Sequence, residues 1–184
     1  MVIILNSLGT INLYTNRCIL RRFVKSDIDD VYNSYMKDQS VSKYLLNNEH
    51  KIIYETELLV NCFINNYNNL NYYNWIIVDR FNFKVIGTIS LHEIDVYNDK
   101  AEIGVIISKK YQNKGYGKEV VKTIIDFAFY HLKVHRIEAK IMKDNIGSIK
   151  LFTSLNFNYE GIIHSCAKKN EKYYDIVLFY LLNL

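Results

Sequence analysis

Between residues 101 and 132 the hydrophobic period changes from two to about 3.6 across a short basic turn, and no other stretch restricts the fold as much. Ile103, Val105 and Ile107 alternate with Glu102, Gly104 and Ile106, which predicts a strand over 101–108. Val121, Ile124, Ile125, Ala128 and Leu132 recur at helical spacing and predict a helix ending near 132. The turn between them, 109–117, closes with Gln112-Asn113-Lys114-Gly115-Tyr116-Gly117. Its two glycines permit positive-φ bends that aim several main-chain N–H groups at one point. The helix opening there adds its own unpaired amides and the positive end of its dipole. Together they form an anion seat, suited above all to phosphate.

Two well-known phosphate loops do not fit this turn. In a Walker loop the position five before the glycine of Gly117-Lys118 would be Gly, but it is Gln112, and Glu119 follows where Ser or Thr is required. The dinucleotide fingerprint needs a third glycine where Val120 stands. What remains is Q-x-x-G-x-G between a strand and a helix, followed in order by Arg136-Ile137-Glu138-Ala139, Asn145-x-x-Ser148, Leu155-Asn156-Phe157 and Tyr159-Glu160-Gly161. This ordered set resembles the GNAT (GCN5-related) N-acetyltransferases, in particular their RimJ/RimL-type branch, over roughly residues 10–183. Thr15-Asn16-Arg17-Cys18-Ile19-Leu20-Arg21 is similar to the T-x-R-L-x-L-R opening of that branch, its arginines read as structural salt bridges.

At 184 residues the chain suits one domain spanning 1–184, a size that buries roughly 70% of its extended surface on folding. The resemblance implies an α/β (α+β) fold: a single GNAT-like domain with a central mixed, mostly antiparallel twisted sheet of about seven strands and about four flanking helices. The residues agree element by element. A first strand is expected over 11–23. Ser26 caps a helix to about 37, with Asp27, Asp29 and Asp30 in its first turn, and a second helix covers 51–67. Strands over 72–78 and 84–92 continue into 101–108 as an antiparallel meander. The helical crossover to a strand over 135–142 predicts a parallel pair. Asp144 or Asn145 then caps a helix burying Ile149, Phe152 and Leu155, and Asn156 is suited to a left-handed C-cap. Strands over 159–165 and 173–182 close the sheet as a hairpin turning near Lys169 and Asn170. Residues 1–10 read as a leader or an added edge strand.

Composition narrows the function classes. No apolar run approaches 18 residues, and residues 1–5 lack the length and basic flank of a secretory signal, so a cytoplasmic protein without membrane contact is expected. Cys18, Cys62 and Cys166 are odd in number without C-x-x-C spacing, and the five histidines form no ligand motif, so no metal is expected. The net charge of +4 is uneven: residues 26–60 hold seven acids against three lysines, a net of −4, leaving +8 elsewhere. That division suits a polyanionic donor and a cationic amine, although solvated helix faces give the same count. Residues 61–74 are crowded with Asn and Tyr, as a nucleic-acid stacking surface would be. The whole chain is rich in Asn, Ile, Lys and Tyr and has no proline, so coding bias accounts for the stretch and no nucleic-acid partner is expected. A monomer or homodimer is expected.

The resemblance also assigns roles. The main chain of Gln112, Asn113, Lys114, Gly115, Tyr116, Gly117 and Lys118 would seat the pyrophosphate of acetyl-CoA, the cosubstrate. Val105, Ile106 and Ile107 would pair with the pantetheine amides in a splayed gap beside their strand, and their N–H groups would polarise the thioester carbonyl, a contribution of ~3 kcal/mol per donor in enzymes generally. Asn145 would hold the pantetheine or the coenzyme. Ser148 would protonate the leaving thiolate, because Phe152 stands where many relatives carry a tyrosine; its alternative is a plain first-turn helix residue. The amine must arrive neutral, which asks more of a lysine (pKa about 10.4) than of an α-amine (about 8). Glu102, a charge in an apolar strand, is the first candidate base, through water, with a salt bridge as its alternative. Asp175, alone in the apolar run 173–182, is the second, with a backbone anchor as its alternative; His92 and Glu93 follow. The expected activity is direct acetyl transfer to a primary amine, on a protein N-terminus or a small molecule. The rival reading is a non-catalytic acyl-CoA-binding or regulatory module, towards which Phe152 leans.

Overall fold

Runs rich in β-branched and aromatic residues pair as the antiparallel meander that the sequence predicts, at the centre of an eight-stranded sheet. The computed structural model describes residues 7–184; residues 1–6, and with them most of the leader or edge-strand expectation, lie outside the described residues. The strands are β1 (Leu13–Tyr14), β2 (Cys18–Arg21), β3 (Tyr73–Asp79), β4 (Val85–Asp95), β5 (Lys100–Ile107), β6 (Arg136–Met142), β7 (Asn158–Lys169) and β8 (Lys172–Leu182), in the order β1-β2-β3-β4-β5-β6-β8-β7. The helices are α1 (Ile28–Val31), α2 (Gln39–Ser42), α3 (Ile53–Asn66), α4 (Tyr116–Asp126) and α5 (Ile146–Thr153). Wider π turns, Tyr32–Met36 and Phe127–Leu132, extend α1 and α4.

The strand expected over 11–23 is two short ones, because the Thr15 hydroxyl accepts the Cys18 amide at 2.8 Å and folds the chain into a hairpin. The closing hairpin is longer than expected. Its turn is Asn170-Glu171, both with positive φ, the conformation that two-residue hairpins favour. Asn156 takes a φ of +64° just after α5, the left-handed conformation expected there. Arg17 pairs with Glu119 at 2.6 Å and Arg21 with Asp27 at 2.7 Å, so both opening arginines serve as structural ion pairs.

Strand alternation sorts the core into two layers. Trp75, Ile89 and Ile103 face α4 and α5 with Val121, Ile124 and Phe152. Ile76, Val78 and Val85 face α1 and α3 with Val31, Tyr35 and Val60. Every neighbouring pair of strands is antiparallel except β5 and β6, which are parallel as expected. Those two strands share only the pairs Lys100↔Arg136, Ala101↔Ile137 and Glu102↔Glu138. Beyond Glu102, β5 stays with β4 and β6 with β8, so the sheet opens into a fork. Among the described residues no helix is long and apolar enough to cross a membrane.

Candidate active site

At the open end of the fork, β5 runs through a short turn into α4. Asn113 (φ +58°) and Gly115 (φ +82°) take the left-handed bends. Gly117, expected to supply one of them, lies instead in the first turn of α4, where a Cβ would stand 3.4 Å from Leu151 and 3.7 Å from Ile107. The amides of residues 113–118 have no protein acceptor among the described residues. They sit at the positive end of α4 among the exposed Lys109, Lys110, Lys114 and Lys118.

The turn is braced from outside. Arg17 donates to the Lys114 carbonyl at 2.9 Å and to Glu119 at 2.6 Å, and its guanidinium lies 4.2 Å over the Tyr116 ring. Tyr116 donates to Asp79 at 3.1 Å, and Gln112 Nε2 donates to the Ile107 carbonyl at 2.8 Å. Burial alone would raise the Glu119 carboxyl; hydrogen bonds from Thr15 and from the Arg17 amide and guanidinium outweigh it and hold the group below its ordinary value. Thr15, Arg17 and Glu119 were not assigned to the site on sequence. Only the T-x-R opening marked the first two, and nothing marked a partner about a hundred positions away.

Along the fork, pairing settles which main-chain groups are available. Ser108 donates to the Ile86 carbonyl at 2.8 Å, and with Thr88 opposite Ile106 the alternation turns the amides of Gly104 and Ile106 to β4. Ile103, Val105 and Ile107 therefore point their main-chain groups into the fork. Ile106, grouped with its neighbours on sequence, contributes its main chain to the β4 ladder and its side chain to the α1/α3 core. Past the last pair with β6, Val105 and the Ile107 N–H remain for a ligand strand, while Gln112 takes the Ile107 carbonyl.

Glu102 lies where the fork closes, on the face away from α4. Lys140 of β6 contacts one carboxylate oxygen at 2.7 Å and His92 Nε2 contacts the other at 3.2 Å. Burial would raise this carboxyl, but the two hydrogen bonds win and hold it below its ordinary value. A cavity of about 550 Å³ opens beside it, lined by Glu93, Asp95, Lys100, Glu102, Glu138 and Lys140.

The remaining candidate residues fall into two groups. Asn145 caps α5, its side chain accepting the Ser148 amide at 3.2 Å. Ser148 is half-buried one turn before Leu151, on the helix face that meets Gly117 and Ile107. Phe152 is 3% exposed and packs on Phe157 at 5.0 Å, a core position. Asp175 is not with them: it accepts the Ser165 amide at 3.0 Å and contacts His164 and Lys143, anchoring an irregularity in β7. That amide, then the side-chain hydrogen bonds of His164 and Lys143, keep its carboxyl below the ordinary value. Among the described residues no group of three or more His, Cys, Asp or Glu is placed to hold a metal ion.

The family model described as "Acetyltransferase (GNAT) domain" matches residues 17–158. The chain is 33% identical over 171 residues to p20, an uncharacterised N-acetyltransferase of Bacillus licheniformis, across 92% of this chain and 95% of that one. Among solved structures it is similar to the ribosomal-protein-S5-alanine acetyltransferase of Vibrio fischeri, with a TM-score of 0.82 at 21% identity over 94% of this chain and 97% of that one. It is also similar to the spermidine N-acetyltransferase of Vibrio cholerae in complex with CoA and spermine, with a TM-score of 0.76 at 23% identity over 90% and 95%. At these identities the two structural likenesses concern the fold.

Proposed function

This chain belongs to the GNAT acetyltransferase family, and from that premise we propose that it passes the acetyl group of acetyl-CoA directly to a primary amine bound at the β5–β6 fork, as a RimJ/RimL-type enzyme. One observation carries the reading: a β5 edge left open at Val105 and the Ile107 N–H leads straight into the unpartnered amides of residues 113–118. Such a track suits a ligand with amide groups along its length and a diphosphate at its end. When bound, acetyl-CoA supplies an acyl carbon activated as a thioester.

The chain supplies the rest. The amides of residues 113–118 and the α4 dipole hold the diphosphate, with Lys114 and Lys118 adding charge. The Val105 and Ile107 amides hold the pantetheine arm and polarise the acyl oxygen. Asn145 fixes the start of α5 and so the position of Ser148, which gives a proton to the departing sulphur. The acidic lining of the cavity at Glu102 favours an acceptor that arrives cationic. Protein N-terminal α-amines and small-molecule amines both meet that description.

Direct transfer is favoured over an acetylated enzyme because burial pushes the Cys18 thiol up to about 11, while the exposed Cys62 receives the Asn66 side-chain amide and the exposed Cys166 points its thiol at the Ile163 carbonyl. The deciding experiment mixes the protein with acetyl-CoA and, separately, spermidine and peptides with free N-termini, following free thiol and product mass. Thiol release that needs the amine and matches amide formed is expected, with the protein mass unchanged by acetyl-CoA alone. Coenzyme binding without amine-dependent release across the panel would leave only the acyl-CoA-binding module.

A further inference from the structure

We propose that His92, rather than Glu102, takes the proton from the acceptor amine, and that Glu102 is the positioning residue that sets its ring; this rests on the reading that the fork brings an acetyl donor and an amine together. Both oxygens of Glu102 are already engaged, one by the Lys140 ammonium at 2.7 Å and one by His92 Nε2 at 3.2 Å, and the side chain is only 14% exposed. A carboxylate held in that way is a weak base. The imidazole of His92 is 45% exposed and lies across Gly104, its Cε1 3.2 Å from where a Cβ on that residue would stand. A glycine in the middle of β5 thus makes room for the ring one residue from Val105, whose main chain faces the fork.

The tautomer follows from the partners. Glu102 accepts Nε2–H, so in the neutral ring the lone pair is on Nδ1, where the Ser90 hydroxyl stands at 3.4 Å. Nδ1 is therefore the accepting atom, directly or through that hydroxyl. The charged groups around the ring are Glu102 from β5, Lys140 from β6 behind it, and Glu93 next in its own strand. The acceptor enters as R–NH3+ and gives one proton to Nδ1. Its freed lone pair forms the N–C bond as the C–S bond breaks, the sulphur keeping that electron pair. The second nitrogen proton ends on sulphur as thiol, by way of Ser148, and His92 returns its proton to water.

The test compares the pH dependence of kcat and kcat/KM in the wild type, His92→Gln and Glu102→Gln, with KM for acetyl-CoA and thermal midpoints measured alongside. His92→Gln should lower kcat by about 100-fold, remove the acidic limb, and leave KM for acetyl-CoA and the midpoint unchanged. Glu102→Gln should keep the limb, because His92 is still present, and lower kcat, because the ring loses the carboxylate that receives its Nε2–H and sets its orientation. A limb that survives in His92→Gln and vanishes in Glu102→Gln makes Glu102 the base and overturns the inference alone. A wild type that releases no thiol with any amine overturns the reading beneath it as well.

Discussion

Replacing Gly115 with alanine tests the anion seat where its geometry is least forgiving. The residue sits at φ +82°, and holding an L-residue in the left-handed region costs roughly 1–2 kcal/mol. The new Cβ would lie 3.2 Å from Arg17 Nη2, so one of the two must give by a few tenths of an ångström. Arg17 is not free to move: it is bonded to the Lys114 carbonyl at 2.9 Å and to Glu119 at 2.6 Å, and lies 4.2 Å over Tyr116. The displacement therefore reaches the main chain that aims the amides. In a domain of this size the strain lowers the thermal midpoint by roughly 2–8 °C. Misdirecting one hydrogen bond to a charged acceptor costs about 1.5–3 kcal/mol, or roughly 10- to 150-fold in Kd for acetyl-CoA. Calorimetric titration of the folded variant measures the second effect apart from the first. Gly161→Ala is the control, because a Cβ there meets no heavy atom within 4 Å. Wild-type affinity in Gly115→Ala, or equal loss in the control, would refute the assignment of the seat.

Three further outcomes are expected. Ser148→Ala keeps the amide that Asn145 caps and removes only the hydroxyl, so kcat should fall while Kd for acetyl-CoA holds; an unchanged kcat removes Ser148 from the proton path. Phe152→Tyr places a hydroxyl in a core position against Phe157, which should cost about 1–3 kcal/mol in chemical denaturation without raising turnover; a faster enzyme would show that the position reaches the sulphur. Glu119 has a folded pKa below its ordinary value of about 4.5, so its contribution to stability is complete above that value and is lost as pH falls through the folded one. Glu119→Gln should therefore be less stable than wild type at neutral pH and lose less on acidification below about pH 4.5; parallel melting curves against pH would refute the bracing role.

Much of this was legible because it is local. The period switch at 101–132, the meander and the closing hairpin depend on neighbours a few residues apart, and the structure reproduces them with an extra strand and an extra helix. The split of the first strand turns on one hydroxyl, that of Thr15, and alternation cannot register it. The second left-handed bend falls on Asn113 because Gly117 is used for contact with Leu151, and that contact needs the tertiary fold. The candidate base illustrates the same limit. A charge in an apolar strand marked Glu102, but only the cross-strand pair His92↔Glu102 and the neighbouring Lys140 show how that charge is spent.

The fork gives a single strand two differently equipped sides, and the period of two explains how. In β5 the odd residues send side chains into the α4/α5 core and main-chain groups towards the fork, whereas the even ones send main-chain groups to β4 and side chains to the opposite face. Under the proposed function, the acyl donor would be read by the backbone of Val105 and Ile107, and the acceptor would meet the side chain of Glu102 and the space above Gly104. A slip of one residue against β4 would exchange these duties, burying Glu102 under α4 and turning Ile106 to the donor. Two features oppose it: Ala101 and Ile103 are buried in the core that holds α4, and Lys140 holds Glu102 at 2.7 Å on the opposite face of the sheet. The ion pair at the closed end of the fork therefore does more than restrain a carboxylate, because it ties the register of β5 to β6 at the last residue where the two strands still meet.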